Sequence, residues 1–71
     1  MLGEVTFFDG DAGLGEVRSD DGATYGFHCT EIADGSRAIE PGTAVQFRVA
    51  AGHLGRREAR RLVPLGPAKP A

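Results

Sequence analysis

The chain has 71 residues, a single cysteine, two histidines and a formal net charge of −2. A domain of this length buries only roughly 60% of its unfolded surface. Cys29 has no disulfide partner and the His/Cys count falls short of a structural metal pattern, so a hydrophobic core must hold it together without a cofactor or metal.

No charged-then-apolar leader opens the chain, and no apolar run reaches the ~18 residues of a membrane span. The expectation is therefore one cytoplasmic domain with no membrane partner.

Residues 2–8 alternate partly, and Val5 with the pair Phe7-Phe8 favours a strand. "DGDAG" (9–13) is turn chemistry, since glycine reaches positive φ and aspartate supports local side-chain turns. Leu14–Ser19 forms a second strand, with Gly15 and Val17 on one face and Leu14, Glu16 and Arg18 on the other. "SDDG" (19–22) signals a hairpin. Thr24–His28 forms a third strand, with Tyr25 and Phe27 opposite Thr24, Gly26 and His28.

The connection "CTEIADGSRAIEPGT" (29–43) has room for one helical turn near 30–33, with Ile32 and Ile39 plugging the core. Thr43–Ala50 is the cleanest strand, because Val45, Phe47 and Val49 alternate with Gln46 and Arg48. "GRREARRLVPL" (55–65) is rich in helix formers and on local propensity reads as a short helix slightly ahead of a strand. "GPAKPA" (66–71), with Pro67 and Pro70, reads as a flexible tail after a domain of residues 1–65. Short strands, close turns and no helical crossovers predict a small antiparallel barrel.

Charge is divided unevenly along the chain. Residues 1–40 carry nine acids against Arg18 and Arg37, a balance of −7; residues 41–71 carry Glu58 against five arginines and Lys69, a balance of +5. Two readings follow: halves that attract one another on folding, or an arginine patch for phosphate or an acidic protein.

"GEVTFFDGDAGLGEVRSDDGATYGFHCTEI" together with "EPGTAVQFRVAAGHLG" resembles the bacterial cold-shock domain family, over nearly the whole chain from Leu2 to about Leu65. Gly3, Val5, Phe7 and Phe8 stand in its opening Gly-x-Val-x-aromatic-Phe motif. Ala12 to Val17 stand in its Lys-Gly-Phe-Gly-Phe-Ile motif, Tyr25 to His28 in Val-Phe-Val-His, and Pro41 to Phe47 in Glu-Gly-x-x-Val-x-Phe. The resemblance implies an all-β, five-stranded antiparallel OB-fold barrel in which "RREARRLV" is strand five, against its local propensity.

The resemblance further implies binding of single-stranded RNA or DNA, with outward aromatics stacking on bases and lysines meeting phosphates. Phe7 and His28 keep platform positions, whereas Leu14, Glu16 and Gly26 stand where the family carries phenylalanine. Cys29 and Ser36 replace further aromatics, and Glu4, Thr6 and Ala12 replace lysines. Losing three stacking positions costs about 4 kcal/mol, roughly a thousandfold in affinity.

The expected surface is thus Phe7, Phe8, Leu14 and His28, joined by Arg56 and Arg57 from the loop between strands four and five, which borders the OB groove. Guanidinium groups both stack on bases and grip phosphate. Arg60 and Arg61 fall on opposite faces of a regular strand, so one of them is available to that patch.

The alternative is a protein-interaction or self-association module on the same barrel, with a homodimer or an acidic partner. Catalysis is not expected: His28 and Cys29 are adjacent on a strand end, so their side chains diverge. His53 reads as an exposed loop residue, and Asp9, Asp11, Asp20 and Asp21 lack calcium-loop spacing and read as solvated turns.

Overall fold

Val5, Val17, Phe27, Val45 and Phe47 each supply an inward side chain from one of four strands, and the fold is built around them. The computed structural model describes residues 1–52 and 55–67. Its strands are β1 (Leu2–Asp9), β2 (Leu14–Ser19), β3 (Thr24–His28), β4 (Thr43–Ala51) and β5 (Arg57–Pro67), and a 3-10 turn at Cys29–Glu31 follows β3. They close into a barrel in the order β1-β2-β3-β5-β4, antiparallel except where β3 meets β5. The molecule is all-β, a small five-stranded barrel of the OB type.

The β1–β2 turn forms as its residues dictate. The Asp9 carboxylate accepts the amides of Asp11 (3.0 Å) and Ala12 (3.2 Å), and Gly13 takes a φ of 68° that returns its own N–H to the Asp9 carbonyl at 2.9 Å. Gly15 is required for a different reason. A Cβ there would collide with the buried Phe27 ring and stand 2.9 Å from the Phe7 carbonyl oxygen, so only glycine lets β1, β2 and β3 close at this point.

Two irregularities aim the side chains. In β1 the register slips between Val5 and Phe7, so Val5 and Phe8 face inward while Thr6 and Phe7 both face out. Phe8 consequently stacks on Phe27, with ring centroids 6.1 Å apart and planes 13° apart. In β5 an extra residue lies between the pairs Arg48↔Arg60 and Gln46↔Val63, and Arg61 adopts a φ of 53°. Ala59 and Leu62 are fully buried as a result, and Arg60 and Arg61 both lie outside the core rather than on opposite faces.

Segment 57–67 is therefore strand, as the resemblance implies and local propensity does not. The strand also continues past the expected domain edge at 65, since Gly66 pairs with Ala44 and Pro67 with Thr43. The remainder of the expected tail, 68–71, and the His53 reading lie outside the described residues. In the long connection the turn falls at Cys29–Glu31, one residue early, and Ile32 and Ile39 seal the barrel at 2% and 9% exposure.

Candidate nucleic-acid interface

The outer wall of β1, β2 and β3 can be read row by row from the strand register. Phe7 stands opposite Glu16, which stands opposite Gly26. Asp9 stands opposite Leu14, which stands opposite His28. Phe7 is thereby diagonal to Leu14, within reach of a large side chain, and Leu14 is the direct neighbour of His28.

Phe7 is 54% exposed and Leu14 44% exposed, and His28 is exposed beside them. These three share one patch. Phe8, expected with them, is turned into the core by the β1 bulge and is not part of it.

The electrostatics of this wall are unfavourable to phosphate. Glu16 lies in the row with Phe7, Asp9 in the row with Leu14, and Glu58 of β5 pairs across from Gly26. Arg18 is the basic residue of the wall, opposite Glu4. Gly26 leaves a gap where a side chain would continue the surface: a Cβ there would meet nothing closer than the Gly15 carbonyl oxygen at 3.9 Å. Cys29 sits half-buried against the core, its Sγ 3.1 Å from the position a Gly13 Cβ would take, so the thiol is packing rather than platform.

Arg56 and Arg57 are exposed, and Arg57 opens β5 opposite Ala51 instead of lying in the loop. The parallel pair Gly26↔Glu58 carries them toward the Thr24 end of β3, away from Leu14 and His28. The patch and these two arginines thus occupy opposite ends of one face.

A second group of arginines, on the other side of the barrel, is not evident from residue order. Arg48 lies directly opposite Arg60, and Arg48 and Arg61 line one open groove with Met1, Gln46 and Val63. Like charges directly opposite one another are destabilising. The single ion pair among the described residues joins Arg60 to Glu58 at 3.4 Å, both on β5. The acidic and basic halves of the sequence therefore do not neutralise one another through ion pairs within the described monomer.

Among the described residues no group of three or more His, Cys, Asp and Glu side chains is placed to hold a metal, and no helix is long and apolar enough to cross a membrane. A scan against protein-family models finds no match for the chain. No curated protein matches it either.

Proposed function

We propose that this barrel binds single-stranded nucleic acid, weakly, on the outer wall of β1–β2–β3. The observation that carries the reading is the exposed trio Phe7, Leu14 and His28 on adjoining rows of an OB-type barrel, the face with which such barrels hold oligonucleotides. Two π-faces and one apolar contact are available, and each stacked base contributes roughly 1–3 kcal/mol. Set against the carboxylates of Glu16 and Asp9, that supports dissociation constants on the order of 0.1–1 mM at low salt. Arg56 and Arg57 supply phosphate contacts at the far end of the wall. The protein carries out no chemistry on its ligand.

A fluorescence titration with mixed-sequence single-stranded oligonucleotides tests this. Phe7→Ala should weaken binding by about 1–3 kcal/mol with the fold intact, because Phe7 contributes nothing to the core. The slope of log affinity against log salt should be roughly −1.5 if two arginines each neutralise a phosphate, and Arg56→Glu with Arg57→Glu should flatten it. No binding at low salt, or binding indifferent to Phe7→Ala, rules the reading out.

A further inference from the structure

Among the described residues, four of the six exposed large apolar side chains lie away from the proposed binding wall: Met1, Leu2, Val63 and Leu65. The register shows how they are grouped. Leu2 pairs with Gln46, and Gln46 pairs with Val63, so Leu2, Gln46 and Val63 form one row across β1, β4 and β5. Phe47 exchanges backbone hydrogen bonds with Met1, at 2.7 and 2.8 Å, which seats Met1 beside that row.

Moving two residues along β4 in one direction reaches Ala44, opposite Glu4, where Leu2, Glu4, Asp20 and Leu65 line one depression. Moving two residues in the other direction reaches Arg48, with Arg60 opposite it and Arg61 in the adjoining groove. Over about 14 Å, four residues of strand, the surface passes from acidic through apolar to basic.

We propose that this β1–β4–β5 face is a self-association surface that pairs with the same face of a second copy about a two-fold axis near Gln46 and Val63. A two-fold axis normal to the face reverses the gradient. Apolar centre then meets apolar centre, and Arg48 and Arg61 of each copy meet Glu4 and Asp20 of the other. A closed two-fold interface needs this kind of self-complementary surface. Among the described residues Arg48 and Arg61 form no ion pair, and Arg48 stands directly opposite Arg60, a cost that carboxylates from a second copy relieve. A phosphate backbone suits the face less well, because it would meet the acids at one end and no aromatic side chain in the middle.

Sedimentation equilibrium of the full chain, over a concentration series reaching about 1 mM at low salt, tests the proposal. The expected species are monomer and dimer and nothing larger, with dimer lost as salt is raised. Arg48→Glu alone and Asp20→Arg alone should each weaken dimerisation by about tenfold or more, since each creates two like-charge contacts across the axis. Mixing the two variants should restore dimer as a heterodimer, because both contacts again join opposite charges. That recovery also establishes that both variants are folded.

Four results overturn the proposal. They are a monomer at every concentration, an open-ended series of oligomers, a dimer indifferent to both variants, and a monomer whose oligonucleotide binding is lost with Arg48→Glu. Phe7→Ala should leave dimerisation unchanged, so this surface and the proposed nucleic-acid wall stand or fall separately.

Discussion

The two walls of this barrel share a core and differ in almost everything else. The β1–β2–β3 wall carries Phe7, Leu14 and His28 among Glu16 and Asp9; the β1–β4–β5 side carries Leu2, Val63 and Leu65 between Glu4 and an arginine cluster. The contrast follows from topology. Strands β1 to β3 are consecutive neighbours, and β4 and β5 form a hairpin that closes the barrel, so Arg48, Arg60 and Arg61 gather on the β4–β5 side while Glu16 and Asp9 stay on the β1–β2–β3 wall. The charge split along the chain thus reaches the surface only in part, and β1, paired to both β2 and β4, is the seam at which Glu4 borders both walls.

The largest expected effect erases the contrast. Phe47 is 2% exposed, packs a tilted 6.0 Å aromatic pair with Tyr25 of β3, and approaches the backbone of β1 at Gly3. It supports both walls at once. Phe47→Ala should cost roughly 3–5 kcal/mol, a large share of the roughly 4–11 kcal/mol that 71 residues ordinarily hold. Thermal melting followed by far-UV circular dichroism should show the variant largely unfolded or with a much lowered midpoint. A midpoint near that of the parent would mean that Phe47 does not join the walls.

How much of this is readable from residue order depends on whether the strand is regular. Val45, Phe47 and Val49 alternate without interruption along β4, so both the strand and its inward face are legible directly. In β5 the extra residue at Arg61 places the buried Ala59 and Leu62 three apart, which is helical spacing. The segment reads locally as a helix because it is rich in helix formers, and the bulge adds a burial spacing that strand alternation does not anticipate. The bulge in β1 likewise spaces Val5 and Phe8 three apart; regular alternation from Val5 sets Phe8 outside, and the slipped register turns it into the core instead.

The trio Phe7, Leu14 and His28 is legible because tight turns fix the β1–β2 and β2–β3 registers. The row Leu2–Gln46–Val63 is not, since it depends on β1 pairing with β4 some forty residues later, and no local signal encodes that closure.

The next effect sharpens the comparison within one wall. Gly15 and Gly26 are both strand glycines, in neighbouring strands, yet they serve different purposes. A methyl group at Gly15 drives into the Phe27 ring, which is itself held by Phe8, so Gly15→Ala should destabilise by about 1–3 kcal/mol. Gly26 is exposed with open space above it, so Gly26→Ala should be neutral or stabilise by up to about 1 kcal/mol. Urea unfolding of the two variants side by side measures the difference. Equal effects would mean that Gly15 is not the point of closest approach between β1, β2 and β3.

The smallest effect is a pH dependence confined to the acidic half. A hydrogen bond from the Ser19 hydroxyl, followed by one from the Ala23 amide, holds the Asp21 carboxyl below the usual aspartate range. The Ser36 amide and then its hydroxyl do the same for Asp34. Both groups bind protons less readily folded than unfolded, so the unfolded chain takes up more protons as pH falls and the equilibrium moves toward it. Their stabilising contribution is present above the ordinary aspartate value and is lost as pH drops below about 4. Both side chains are at the surface, so the loss should be modest. The arginines of β4–β5 keep their charge throughout, and acid should therefore remove turn anchors from the first half alone. Melting midpoints measured from pH 6 to pH 2 should fall at the acid end, and the double variant Asp21→Asn, Asp34→Asn should show a shallower fall from a lower starting point. An unchanged slope in that variant would mean that the Asp21 and Asp34 turn anchors do not carry the acid sensitivity.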